Sequence, residues 1–339
     1  MVKKTIEVCP ESDWSELYGS FRDQSLLQTA GYANAKAALG PWRVERSLFT
    51  KDEDVVGCVQ ALVRSLPVIG GGLVWINRGP LWRPVEGKPK ASFAELVDVL
   101  RHHYVDSQGF YVRIAPPVEV EYLPDEQYRK SGGTAAAGMP GWASAALDLS
   151  VSLETLRAGL KGKWRGHLNK AERSGLEIKA GAGSEFETFL EAHTKFTETH
   201  NFETSVTTEF LAAFQSCLPD HLKLYAFLAY SSGYLVGSIL IAKYGATCEY
   251  LAGNSTDQGR RLNVGQLLVW RAISTMHDQG FKRFDVSGMD PEITPKGIYD
   301  FKEGLGGTPY RLAPELELGG DSLRGRLVRW RVNRARSGS

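Results

Sequence analysis

Lys302 stands in a run, Phe281 to Gly307, that holds the residue types needed to handle a charged substrate. Aromatic, charged and aliphatic residues alternate over Phe281–Val286 and predict a short strand, which Ser287, Gly288, Met289, Asp290 and Pro291 end. A loop punctuated by Pro and Gly follows, then a second cluster, Ile298, Tyr299, Asp300, Phe301 and Lys302, and then Gly304, Gly306 and Gly307. Such glycines permit left-handed backbone and close approach of a ligand or another segment. A lysine entering that turn between aromatic neighbours is placed to hold an anion rather than to sit in bulk water.

Two further groups carry chemistry. Near the N-terminus, Gln28, Thr29, Tyr32 and Lys36 follow one another at short spacing, with Thr29 as the expected N-cap of a helix that carries Tyr32 and Lys36. In mid-chain, Lys161, Lys163, Arg165, Lys170 and Arg173 face Glu172 alone within thirteen residues. Such a run serves either as a solvated face or as a local phosphate-binding patch for an RNA acceptor stem, with Trp164 as an aromatic neighbour.

The elements that must position these residues divide into two sets. The first has strands over Arg43–Thr50, Val55–Ser65 and Leu73–Asn77, a helix over Ser92–Ser107, and a strand over Tyr111–Ala115. The second has strands over Leu222–Ala229, Tyr234–Lys243 and Thr247–Ala252, a helix capped by Asn263, and the strand at Phe281. Val56-Gly57-Cys58-Val59 in the first set answers Val236-Gly237-Ser238-Ile239 in the second, and Gln108-Gly109-Phe110 answers Gln279-Gly280-Phe281. Loop lengths differ, but the order is that of one mixed unit used twice.

Between the sets, residues 118 to 147 are rich in Gly, Ala, Pro and charge and predict a surface connection. Leu153, Leu156, Leu160, Trp164, Leu168 and Ala171 predict one continuous helix opened by Ser152. His193 falls on the apolar face of a helix over Glu185–His200 and is expected in the core. At the end of the chain, Leu323, Leu327 and Trp330 form an apolar stripe among arginines that suits packing.

Composition narrows the class. The 339 residues exceed one usual domain, and 42% hydrophobic with 23% charged residues is the balance of a globular protein with a sizeable core. A net charge of +1 means that any nucleic acid must be met by a local patch. Cys9, Cys58, Cys217 and Cys248 lack metal-ligand spacing, so no metal site and no disulfide framework is expected. With neither a signal-peptide pattern nor an apolar run of the roughly 20 residues a membrane helix needs, the expectation is a cytoplasmic protein with no integral membrane segment.

The run from Asp285, Ser287 and Gly288 through Gly297, Ile298, Phe301, Lys302, Gly306 and Gly307 resembles the C-terminal signature of the FemABX family, aminoacyl-tRNA-dependent peptidyltransferases of cell-wall cross-bridges. Gln28, Tyr32 and Lys36 are similar to its N-terminal signature. The resemblance is strongest over 281–307 and good over 26–80. It implies an α+β fold of two GNAT-like (acyl-CoA N-acyltransferase-like) mixed-sheet domains in tandem, without a coiled-coil arm and with a cleft between them. The domains would span 1–147 and 148–313, with a tail, 314–339, packing back on the first.

It also implies an activity. An amino acid would pass from aminoacyl-tRNA to an amine of a peptidoglycan precursor peptide by direct aminolysis of the ester, in a monomer without cofactors. Lys302, backed by Phe301, would meet the tRNA end or the developing oxyanion. Lys36, Tyr32, Arg78, Tyr250, Ser287 and Gly288 would bind substrate, and Lys161, Lys163, Arg165 and Lys170 the tRNA. Two departures qualify the acceptor. Ala115 precedes Pro116 where the family commonly has an acid, and no Arg lies between Arg173 and Arg260 where the family places one near His200 and Asn201. A nucleotide-linked precursor, a lipid-linked one and a small secondary-metabolite amine therefore stay open. The alternative is an acyl-CoA-dependent N-acyltransferase, against which the run Gln258 to Gly265 lacks the usual pyrophosphate-loop spacing.

Overall fold

The computed structural model describes residues 4–66, 70–123, 130, 133–136, 140–200 and 206–337. The chain forms two compact units, one of residues 1–142 with 311–339 and one of 143–310.

The first unit runs β1 (Lys4–Val8), α1 (Glu11–Gly19), α2 (Ala30–Leu39), β2 (Arg43–Lys51), β3 (Asp54–Ser65), β4 (Gly72–Asn77), α3 (Phe93–Leu100), β5 (Tyr111–Ala115) and β6 (Thr134–Ala135). The second holds β7 (Ala143–Asp148), α4 (Leu153–Gly159), α5 (Gly162–Glu172), β8 (Glu177–Gly181), α6 (Ser184–His200), α7 (Thr208–Cys217), β9 (Tyr225–Ser231), β10 (Tyr234–Tyr244), β11 (Thr247–Ser255), α8 (Asp257–Arg261), α9 (Val264–Asp278), β12 (Arg283–Asp285), α10 (Lys296–Glu303) and β13 (Thr308–Arg311). The chain then re-enters the first unit as β14 (Leu316–Leu318) and α11 (Leu323–Ser337).

Each unit is built on a seven-stranded mixed sheet, ordered β1-β2-β3-β4-β5-β14-β6 and β13-β7-β12-β11-β10-β9-β8. This is the α+β, GNAT-like tandem architecture expected. In both, an antiparallel meander is followed by a crossover helix and a strand that returns parallel: β5 on β4, β12 on β11. The repeated glycines explain why the two sets look alike. A Cβ on Gly57 would lie 3.1 Å from Leu96 of α3, and one on Gly237 would lie 2.7 Å from Val264 of α9, so in each unit the middle strand is bare where the crossover helix descends on it. Gly109 and Gly280, both with positive φ, let the chain turn from that helix into the next strand.

Several expectations are corrected. The stripe Leu156, Leu160, Trp164, Leu168 and Ala171 is buried, yet it is carried by two helices, because the chain turns extended at Leu160 and Lys161 N donates to Gly304 O at 3.0 Å. The helix predicted to Ser107 is α-helical only to Leu100. Arg101–Asp106 widen into a π-helix, and Tyr104 within it reaches Glu45 with its hydroxyl at 2.7 Å. The connection expected at 118–147 ends in a buried strand, β7, and residues 124–129, 131–132 and 137–139 of it lie outside the described residues. Asn263 stands at the N-cap of α9 but with left-handed backbone and no side-chain cap bond.

In α11 the stripe Leu323, Leu327 and Trp330 faces outward. Val328 is the residue turned in, since Arg329 donates to buried Glu317 of β14 at 3.1 Å and fixes the rotation of the helix. His193 is buried as expected, stacked on Phe189 with Nε2 3.2 Å from Val206 O.

Candidate active site in the second unit

β11 and β12 pair in parallel over only three positions, Thr247 with Arg283, Cys248 with Phe284 and Glu249 with Asp285. Then they part. Val286 N bonds to Ala145 O on the β7 side, while β11 continues from Tyr250 to Ser255 paired with β10 only, with a bulge opposite Leu240 and Ile241. Among the described residues no strand pairs with that edge of β11 beyond Glu249. A sheet that opens at the carboxyl end of parallel strands leaves a row of backbone donors and acceptors in a concavity, the usual place for a ligand in such a fold.

Lys302 enters this opening. The cluster Ile298 to Lys302, for which no helix was expected, lies in α10, and Lys302 is in its last turn, only 9% exposed. Its Nζ donates to Gly288 O at 2.8 Å and stands 5.6 Å from the centre of the Tyr250 ring. One of three ammonium donors is committed to that carbonyl. Burial pushes the Lys302 pKa down to about 8, against the opposing pull of Asp285 and Glu249.

The carbonyl that receives Lys302 is aimed by a buried acid. Asp285 accepts from Ser144 Oγ at 2.6 Å, Tyr310 Oη at 2.6 Å and Ser287 N at 2.9 Å, with Arg283 Nη2 at 3.3 Å. The bond to Ser287 N holds that residue at φ +60°, a left-handed conformation rare for serine, which turns Gly288 O toward α10. Ser144, Tyr310 and Glu249 were not singled out from the sequence. The available signal was Asp285 itself, an acid between Phe284 and Val286 with all three buried, since a charge in such a strand needs partners.

The remaining expected residues are distributed as follows. Tyr250, Ser287 and Gly288 adjoin Lys302. The Tyr250 hydroxyl leans over Gly253, where a Cβ would lie 2.2 Å from it, and burial pushes its pKa up to about 12. Phe301 turns away from the Lys302 ammonium. Its ring packs against Trp164 at 6.0 Å between centres and against Gly265, so it seats α10 on the core.

Tyr32, Lys36 and Arg78 come together in the first unit. Lys36 Nζ is 5.7 Å from the centre of the Tyr32 ring, Arg78 lies over Trp142 at 5.5 Å, and the charge of Arg78 opposes the burial that pushes the Tyr32 pKa up to about 12. Gln28 of the same signature is structural, with both ends of its amide bonded to β3 and β4. Lys161, Lys163 and Lys170 are exposed on α5 or at its start; Lys161 pairs with Glu303 at 2.7 Å, and Arg165 donates to Ala158 O at 3.2 Å. Asn201 lies outside the described residues. Among the described residues no cluster of His, Cys, Asp and Glu could hold a metal ion.

A titration test follows from the position of Lys302. If the ammonium form binds substrate, kcat/KM falls as pH rises through about 8, and the Lys302→Met variant loses that limb. The folded pKa lies below the ordinary 10.5, so the unfolded chain holds the proton longer and folding stability rises from about pH 8 to about 10.5. Urea titrations across that window give a smaller rise for the variant.

Residues 159–303 match the family model described as an acetyltransferase (GNAT) domain. Among solved structures, that of FemX superposes with a TM-score of 0.80 at 15% identity, covering 96% of this chain and 99% of that one. The C-terminal domain of a putative lysylphosphatidylglycerol synthetase from Agrobacterium fabrum gives 0.57 at 12% identity, with 94% and 95% covered. L-PGS from Bacillus licheniformis gives 0.54 at 14% identity, with 87% and 90% covered. A search of curated proteins finds no match. At these identities the likeness is one of fold, and the FemX-like fold extends over nearly the whole chain.

Proposed function

We propose that this protein is an aminoacyltransferase that moves an amino acid from aminoacyl-tRNA to an amine of a peptidoglycan precursor peptide. The observation that carries the reading is the opening between β11 and β12, with a buried lysine at its mouth. Support comes from the FemX-like fold over nearly the whole chain. An ester is reactive enough toward an amine that positioning and charge stabilisation supply the catalysis.

The acceptor nitrogen attacks the ester carbonyl, the carbon–oxygen bond to the ribose breaks, and the ribose leaves as the free hydroxyl with the proton that the nitrogen gives up. The open backbone edge of β11 orients the aminoacyl group. The Lys302 ammonium offsets negative charge on the carbonyl oxygen or on the tRNA terminus. Gly288 O holds the ammonium in place, and Asp285 positions that carbonyl through its bond to Ser287 N. Lys36, Tyr32 and Arg78 are assigned to the acceptor, and Lys161, Lys163, Arg165 and Lys170 to the tRNA backbone. The exposed positions of Lys163 and Lys170 suit phosphate contact.

The second reading is transfer from an acyl-CoA, favoured by the acetyltransferase (GNAT) match over residues 159–303. In such enzymes a glycine-rich loop and the next helix N-terminus cradle the pyrophosphate. Here that stretch is wound into α8, whose N-cap Thr256 accepts from Gly259 N at 3.1 Å, and the Phe301 ring covers Gly265 in the first turn of α9. Both features leave fewer backbone N–H groups for a pyrophosphate.

Incubation with labelled amino acid, tRNA, synthetases and a precursor peptide is expected to label the peptide amine, and RNase is expected to abolish the label. Label that survives RNase, or that arrives only from acyl-CoA, overturns the first reading in favour of the second.

A further inference from the structure

α11 carries six arginines and no acid over residues 323–337, with Asp321 just before it. Val328 and Gly325 face the first unit, and Arg329 is tied to Glu317. The opposite face holds Leu323, Leu327 and Trp330, spaced four and three apart so that they form one ridge, and they are 86%, 43% and 54% exposed. Exposed arginines flank the ridge, Arg326 on one side and Arg324 and Arg331 on the other. Arg334 lies on the ridge line with its guanidinium 5.3 Å from the Trp330 ring centre.

We infer that this face of α11 docks on an anionic lipid surface. Charge complementarity selects the occupant. A helix lying in the interface buries a narrow apolar ridge in the acyl boundary, while long cationic side chains on both flanks reach back to the headgroups, with a tryptophan at that boundary. RNA phosphates would use the arginines but would leave Leu323 and Leu327 in water. Another protein surface would have to cover the aliphatic ridge while supplying acids along both flanks. Among the described residues no helix is long and apolar enough to cross a membrane, so the contact is peripheral. The inference goes beyond the proposed reaction and does not depend on it.

The test is co-sedimentation of the full chain with vesicles of phosphatidylcholine alone and of phosphatidylcholine with phosphatidylglycerol at 2:1. Binding is expected to the mixed vesicles and to weaken at high salt. Leu327→Ser with Trp330→Ala is expected to cut it at least about tenfold, because most of the buried apolar area is lost. Arg326→Glu with Arg331→Glu is expected to cut it comparably. All four side chains are exposed, and an unchanged melting temperature shows that the variants fold. A chain that stays in the supernatant with mixed vesicles overturns the proposal. So does binding that only the arginine changes reduce, and so does a chain that leaves the vesicles for added RNA.

Discussion

Lys302→Met is expected to lower kcat/KM for aminoacyl transfer by about two to three orders of magnitude, the scale of losing a preorganised charge stabiliser in a closed site. The fold should survive. Methionine has similar reach, so Tyr250 keeps its neighbour, and the variant no longer pays for desolvating an ammonium that burial has already pushed to a pKa of about 8. Against that gain stands the charged hydrogen bond to Gly288 O, worth about 1.5–3 kcal/mol. The two effects nearly offset, so the denaturation midpoint should move little while activity is lost. Single-turnover rates with preformed aminoacyl-tRNA separate chemistry from binding. A variant within threefold of the parent would remove Lys302 from the mechanism and leave the open edge of β11 to act alone.

Gln28→Met is expected to do the reverse, destabilising the first unit by about 3–5 kcal/mol with no direct part in chemistry. β3 and β4 are paired from Leu62 with Trp75 to Ser65 with Gly72, and the ladder stops before Gln60 and Asn77 come level. The Gln28 amide fills that gap. Its Nε2 donates to Gln60 O at 3.0 Å and Asn77 O at 2.8 Å, and its Oε1 accepts from Gln60 N at 2.9 Å. The network continues outward, since Gln60 Nε2 donates to Thr29 O, Arg46 donates to Gln60 Oε1, and Glu11 pairs with Arg46 at 3.0 Å. Methionine fits the space but leaves three backbone groups, the two of Gln60 buried, without this partner. Chemical denaturation monitored by circular dichroism measures the loss. A cost below about 1 kcal/mol would mean that water or a shifted strand replaces the amide.

These two residues mark what the sequence discloses and what it does not. Lys302 was legible as a functional cation because its type, its glycine-bounded surroundings and its match to a known signature all lie within one short segment. The helix beneath it was not legible, because Pro and Gly at 295, 297 and 304 read as loop when considered locally. Gln28 was legible only as part of a signature. Its role depends on Gln60 and Asn77, which lie 32 and 49 residues away in the chain. The same holds for Ser144, whose partner Asp285 is 141 residues distant.

By itself the sequence determined the doubled mixed unit, the crossover helices, the caps at Thr29 and Ser152, and the burial of His193. Side-chain periodicity, bare glycines and capping oxygens act over a few residues and survive in any context. Only the tertiary structure decided that the stripe from Leu153 to Ala171 breaks at Leu160, that α11 turns its leucines outward, and that β11 and β12 part beyond Glu249. Two of those outcomes depend on a partner brought from far along the chain, Gly304 O for the break and Ala145 O for the opening of the sheet, and the rotation of α11 depends on Glu317 of the preceding strand. A hydrogen bond or ion pair across such a separation leaves no pattern in the local sequence on either side.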